Sequence, residues 1–245
     1  MDSHVPMDMR ARVTEVADGI HQLTTVIPEA PVAFNQYLIA ADEPLLFHTG
    51  MRGLFSLVSA GVSTVLPAES VRWVSFGHVE ADESGSMNEW LALAPDATVL
   101  QGVIGCMVSI GDLADREPRA LGDGETLDIG GHVVQWFDTP HVPHAWEAGV
   151  LYDVTTKTLF CGDLFAWNGP YAATTVGDIV GPAVQAEDDM PGSLSLHPSS
   201  GEVCRRLAEL DIATLAPMHA PAYTGDCRAA LMELASDFER RIAIL

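Results

Sequence analysis

Two spacings of apolar residues alternate along the chain. "NQYLIA" and "PLLFHTG" are short runs rich in branched and aromatic residues, parted by the turn-prone stretch Ala41 to Pro44, and read as strands. Leu54, Leu57, Val58, Val62 and Val65 then recur at helical steps until Pro67. "VRWVSFG" is a strand that ends at His78. Ser86 and Glu89 have the spacing of a capping box ahead of a short helix in "MNEWLALA", and "ATVLQG" is a further strand. "GETLDIGGHVVQWFDTPH" reads as a hairpin with Val133 to Asp138 as its second arm, and "GVLYDVTTKTLFCGD" as another, turning at Thr155 to Lys157. Residues 167–197 hold many Gly, Pro and Asp with no period, and read as a long loop over a site. Ser199 and Glu202 repeat the capping-box spacing before a helix bearing Val203, Leu207 and Leu210. "IATLAPMH" is a strand, and from Asp226 a helix turns Leu231, Leu234, Phe238 and Ile242 inward.

No composition break marks a linker, and no short repeat appears. The order of elements predicts one α/β domain over residues 1–245, with two packed sheets flanked by helices. A length of 245 residues with 48% hydrophobic residues supports a large core. The formal net charge of −22 repels phosphate backbones and anionic membranes, so nucleic acid and membrane partners are not expected. The first residues carry no apolar stretch of signal-peptide type, and no run is long enough to span a bilayer. Cys106, Cys161, Cys204 and Cys227 form no CxxC pair, which suggests reduced thiols and a cytoplasmic location.

Candidate chemistry gathers where strands end. Val71 to Gly77 runs into His78, with Glu80 and Asp82 at alternate positions after it. Val133 to Asp138 runs into His141, Thr158 to Gly162 into Asp163, and Ile212 to Pro217 into His219. Singly, each has an ordinary reading: a solvated acidic loop, a turn aspartate, a histidine satisfied in the core. Four strand ends sharing one chemistry is not what those ordinary readings predict, and ligand sites in α/β sheets lie at that edge. GxSxG, the Walker A loop, HExxH and the Glu-x-x-His pattern of di-iron bundles are all absent. The oxygen donors Glu80, Asp82 and Asp163 with the imidazoles His78, His141 and His219 suit iron or manganese, and zinc also accepts them.

HxExD at His78, Glu80 and Asp82, followed in order by His141, Asp163 and His219, resembles the metallo-β-lactamase superfamily. Within it, the chain looks like the di-iron domain of flavodiiron proteins. The zinc enzymes usually read HxHxDH, and here Glu80 stands in place of the second His. "NQYLIA…PLLFHTG" resembles the early strands of that fold, "TPHVPH" the segment of the third ligand and "APMHAP" that of the last. Without a following flavodoxin-like domain, the chain resembles the stand-alone oxygen-binding diiron proteins.

That resemblance implies an αββα sandwich of two mixed β-sheets flanked by helices. It implies two irons, one held by His78, Glu80 and His141, the other by Asp82 and His219, with Asp163 bridging; zinc and manganese are the alternatives, and no FMN is expected on this chain. Glu83, where many relatives have another His, either reaches the second metal or leaves that position to water. His144 either orients His141 or lies at the surface, and His48 stands where relatives often have Asp. The implied function is binding or reduction of O2, NO or peroxide, with a separate reductase or in a binding and sensing role, and a homodimer as assembly. The alternative is a dinuclear zinc hydrolase acting on an ester, lactone or phosphoester.

Overall fold

Residues 10–27, 30 and 32–245 are described by a computed structural model. Strands β1 (Arg12–Ala17), β2 (Ile20–Val26), β3 (Ala33–Ile39), β4 (Leu45–Phe47), β5 (Trp73–Ser75), β6 (Thr98–Gly102) and β7 (Arg119–Leu121) lie side by side in chain order as one sheet. It is antiparallel from β1 to β4 and parallel from β4 to β7. The second sheet comprises β8 (Thr126–Asp128), β9 (Val133–Asp138), β10 (Gly149–Asp153), β11 (Thr158–Phe160), β12 (Thr174–Thr175), β13 (Thr214–Ala216) and β14 (Ala222–Tyr223), in the order β12-β14-β13-β11-β10-β9-β8. It too is mixed, with β11 parallel to β13 and the β8–β9–β10–β11 run antiparallel.

Alternation along each strand builds the layers. On β3, Tyr37 and Ile39 point into a core shared by both sheets, together with Phe47, Trp136, Leu151 and Phe160. Phe34 and Leu38, on the opposite face, pack on helices α1 (Phe55–Val62) and α3 (Met87–Leu93) through Val58, Val62 and Trp90. The outer face of the second sheet packs on α6 (Val180–Asp189), α7 (Ser200–Leu207) and α8 (Cys227–Ile242) through Val150, Leu159, Leu215, Leu207, Leu231 and Phe238. The result is the αββα sandwich expected from sequence. Trp90 and Trp136 are fully buried, and truncating either to Ala would cost about 3–5 kcal/mol.

Four details differ from the sequence reading. β1, β2 and β7 add to the four strands of the first sheet read from sequence. Residues 167–197 are not a bare loop: Asp178 Oδ1 accepts from the backbone N–H of Val180 (3.0 Å) and Gly181 (2.9 Å) and starts α6. After β6, α4 (Val103–Gly105) and α5 (Gly111–Leu113) flank a π-helical stretch at Cys106–Ile110. Neither capping box forms: Glu89 is held by Arg52 Nε at 2.6 Å, and the Ser199 hydroxyl meets His197 Nδ1 at 2.7 Å. Among the described residues no helix is long and apolar enough to cross a membrane.

Candidate metal centre

The parallel strands β4 and β5 of one sheet, and β11 and β13 of the other, deliver side chains to a common edge. From the first sheet come His78, Glu80 and Asp82, the last on the short helix α2 (Ala81–Ser84). From the second come Asp163, after β11, and His219, after β13. Asp163 lies between two groups. Its Oδ2 is 3.1 Å from His144 Nε2 and 3.5 Å from His78 Nε2, while its Oδ1 is 3.2 Å from His219 Nε2. Glu80 Oε2 completes the first group, 3.0 Å from His78 Nε2 and 3.2 Å from His144 Nε2. Asp82 Oδ2 joins the second, 3.2 Å from His219 Nε2. Donor atoms of His78, Glu80, His144 and Asp163 all lie within 4.8 Å of one another. Asp163 Oδ1 is buried and makes no hydrogen bond.

Of the six residues singled out in the sequence, five meet here; His141 does not. The loop after β9 curls on its own hydrogen bonds: Val142 N–H donates to Thr139 O (2.8 Å), His141 N–H to Ala145 O (2.8 Å), and the Thr139 hydroxyl to Val142 O (2.7 Å). This leaves His141 in the left-handed region at φ 68°, with its ring stacked on His197 at 4.3 Å between centroids. The next histidine of the loop, His144, faces Glu80 and Asp163 and packs edge-on against His78. Two histidines three apart in a loop without a period cannot be ranked from sequence, because local hydrogen bonds and not spacing aim them.

Charge balance in the cluster follows from these distances. Burial pulls the His78 imidazole down, but Glu83, Glu80 and Asp163 outweigh it and push it up to about 9. Asp163 and then Glu80 push His144 up to about 10, and His144 and His78 hold the Glu80 carboxyl at about 2. Burial raises Asp163, yet His144 and His219 keep it well below the usual carboxylate range. Without a metal, protons on imidazoles therefore neutralise the carboxylates, in the place a cation would take.

Glu83 turns away from the centre, into the protein beneath it. Its Oε2 accepts from the backbone N–H of Gly77 (2.7 Å) and His78 (2.9 Å), and its Oε1 lies 3.3 Å from His48 Nε2. A Cβ at Gly77 would come within 3.2 Å of Glu83 Oε2, and one at Gly162 within 3.1 Å of Oε1, so two glycines make room for this carboxylate. His48, at φ 65°, meets Asn35 O through Nδ1 at 3.1 Å. The Asn35 amide in turn donates to Pro217 O (3.0 Å) and Ala220 O (2.7 Å), and His219 Nδ1 meets Ala33 O at 2.9 Å. A chain of buried polar groups thus runs under the centre from His78 to the His219 loop. His132, by contrast, is a satisfied core residue, its Nδ1 2.9 Å from Asp153 Oδ2.

A family model described as ODP family beta lactamase matches residues 32–220. The chain belongs to this family. Among curated relatives, a putative diflavin flavoprotein A 3 of Synechocystis sp. is 28% identical over 238 residues, 92% of this ODP-family chain and 37% of that protein. A putative diflavin flavoprotein A 2 of Nostoc sp. is 28% identical over 134 residues, 54% of the chain and 23% of that protein. The chain thus spans between 23% and 37% of the length of these two relatives. Among solved structures, a flavoprotein of Thermotoga maritima superposes with a TM-score of 0.79 at 17% identity, over 92% of this chain and 61% of that one. Fragment 1–254 of a putative diflavin flavoprotein A 5 of Nostoc sp. gives 0.78 at 16% identity, over 96% of this chain and 97% of the fragment. The ODP-family chain therefore has the metallo-β-lactamase-like fold of flavodiiron cores.

Proposed function

We propose that the chain is a non-haem di-iron protein that binds or reduces O2, NO or a peroxide. Asp163 carries this reading: a buried carboxylate presents one oxygen to a group of two imidazoles and a carboxylate, and the other, free of hydrogen bonds, to a second imidazole–carboxylate group. In this reading His78, Glu80 and His144 hold one iron, Asp82 and His219 the other, and Asp163 is shared. His144 thus takes the role that the resemblance had assigned to His141. Glu83 is not a ligand. Nitrogen and hard oxygen donors without thiolate favour iron or manganese over a soft-ligand metal. Three carboxylates against two divalent cations leave a net charge near +1, which suits a neutral or anionic oxygen ligand. The names of similar proteins point the same way, among them a metal-soaked flavodiiron core of Synechocystis sp. and a rubredoxin oxygen:oxidoreductase of Desulfovibrio gigas.

When bound, the iron pair supplies electrons and open coordination positions. The protein's own groups prepare the site. Hydrogen bonding of His219 Nδ1 to Ala33 O leaves Nε2 to face Asp82 and Asp163. Glu83, held by two backbone N–H groups, lies 3.4 Å from His78 Nδ1 and turns the opposite nitrogen toward Glu80. The half-exposed Glu80 and the partly exposed His144 form the solvent-facing side, where protons enter. A separate reducing protein completes the reading.

Metal analysis tests it, on protein made in iron-replete cells and purified at low oxygen. Two irons per chain and a change of the reduced protein's spectrum on adding O2, NO or peroxide are expected. Zinc-dependent hydrolysis of a lactam or phosphodiester, with an iron form inert to all three, would overturn it.

A further inference from the structure

The chamber in front of the centre is far larger than a diatomic needs. Among the described residues a cavity of about 470 Å³ opens against Glu80, Asp82, His144, Asp163 and His219. A water molecule, close to O2 or NO in size, takes about 30 Å³ of liquid. The wall away from the centre is mainly apolar, formed by Val32, Trp167, Ala183, Ala186, Met190 and Leu194, with the polar Asn168, Glu187 and Ser193 set among them.

That wall is built into the fold. Ala183, Ala186 and Met190 follow one another at steps of three and four and so share one face of α6 and its end. Two of the three are alanines, which leave the volume open. Trp167 N–H donates to His219 O at 3.1 Å and ties its side of the chamber to the centre. Glu187, buried on the same helix, accepts from Gly192 N–H (2.8 Å), the Ser193 hydroxyl and Leu194 N–H (3.1 Å). The turn that carries Leu194 is therefore held by three bonds to one carboxylate.

Of the substrates that the di-iron reading admits, O2 and NO have no body to place along such a wall, whereas a peroxide can carry one. We propose that the chamber takes a small organic hydroperoxide. Its O–O group lies at the carboxylate–imidazole end, and its apolar substituent lies along α6 and Trp167. The proposal rests on the di-iron reading. The reaction is ROOH + 2 e⁻ + 2 H⁺ → ROH + H2O. The O–O bond breaks, one oxygen stays on the organic body as the alcohol, and the other leaves as water. The two electrons would come from a reduced iron pair held by His78, Glu80, His144, Asp82, His219 and Asp163, and the two protons from solvent at the His144 side.

Two measurements test this. In the first, zinc-loaded protein, which cannot turn over, is titrated with cumyl alcohol, the product of cumene hydroperoxide, following tryptophan fluorescence with Trp167→Phe alongside. Saturable quenching that is lost in Trp167→Phe is expected, with affinity lowered about tenfold or more in Ala186→Phe, which fills the chamber. In the second, reduced iron-loaded protein is mixed in stopped flow with cumene hydroperoxide or hydrogen peroxide. The organic peroxide should react about tenfold faster or more, and Ala186→Phe should erase the preference. Ala183→Leu serves if the larger replacement does not fold, and the wild-type comparison needs no variant. No alcohol binding, with equal rates for the two peroxides, overturns this inference and leaves the di-iron reading standing. Absence of bound iron, or of any reaction with O2, NO and hydrogen peroxide, takes down both.

Discussion

Replacing Glu83 separates a residue that supports the centre from one that ligates it. Its carboxylate is fully buried and satisfies the N–H groups of Gly77 and His78 while facing the imidazoles of His48 and His78. Burial alone raises its pKa, but His78 and His48 outweigh that and keep it ionised. Glu83→Ala leaves two buried donors unpaired, each costing about 1–3 kcal/mol. The same change removes the carboxylate that faces the His78 and His48 imidazoles; the two losses overlap, and together they resemble removal of one partner of a buried pair, about 3–5 kcal/mol. For a domain of this size, 1 kcal/mol shifts Tm by about 2–4 °C, so the metal-free protein should melt about 6–20 °C lower. Glu83→Gln keeps an oxygen for both N–H groups and should lose about 1–2 kcal/mol. The assay is thermal unfolding of chelator-treated protein, with metal content measured on the same variants below their Tm. Glu83→Gln should bind two metals at lower Tm. One metal lost from Glu83→Gln, with the metal-free Tm unchanged, would show that Glu83 is a ligand and refute the reasoning.

The remaining predictions concern the centre itself. His144→Ala should lose about one metal equivalent per chain while His141→Ala keeps both, read by elemental analysis; the reverse pattern would restore His141. Asp163→Asn should lose most of both metals, because each group takes one of its oxygens, whereas changing His132 should lose none; near-full metal in Asp163→Asn would end the bridging assignment. With His78 at about 9 and His144 at about 10, metal loading near pH 7.5 must displace protons, and a pH indicator in weak buffer should show acid release and tighter binding as pH rises. The metal-free protein should show the opposite trend. His144 is raised from its ordinary 6.5 to about 10, so its contribution is full below 6.5 and lost as pH climbs through 10. Glu80 is lowered from 4.5 to about 2, so its contribution is full above 4.5 and lost as pH falls through 2. Melting curves of metal-free protein should therefore place the cluster's greatest support between pH 4.5 and 6.5.

The sandwich was legible because its strands alternate and its outer helices carry regular apolar steps. Residues 35–50, both hairpins and the helix from Asp226 show this, and their pairing follows from turn chemistry close in the chain. HxExD was legible for a different reason: three donors within five residues at a strand end is a dense local signal. His144 was not, because the 139–148 loop aims its side chains through hydrogen bonds that no period encodes. Helix α6 was hidden among Gly, Pro and Asp, although Asp178 capping Val180 and Gly181, with Ala183, Val184 and Glu187 after it, carries the signal in hindsight. The role of Glu83 was out of reach, since it depends on His48 and on Gly162, brought in from distant strands. The capping boxes failed for a related reason: Arg52 and His197 compete for side chains that the local motif counts as free.

The donor set is divided evenly between the sheets. His78, Glu80 and Asp82 ride on the first sheet; His144, Asp163 and His219 ride on the second. Neither half alone offers more than three donors, and the one residue shared between the groups belongs to a single half. The shared core of Tyr37, Phe47, Trp136 and Phe160 must close before the two triads face each other. Asn35 must also reach across to the backbone of Pro217 and Ala220. Under the di-iron reading, full occupancy of the centre would therefore report assembly, since all six donors face one another only when the halves are docked. Ions held by both triads would clasp the seam between the sheets, and separating the halves would then require releasing them.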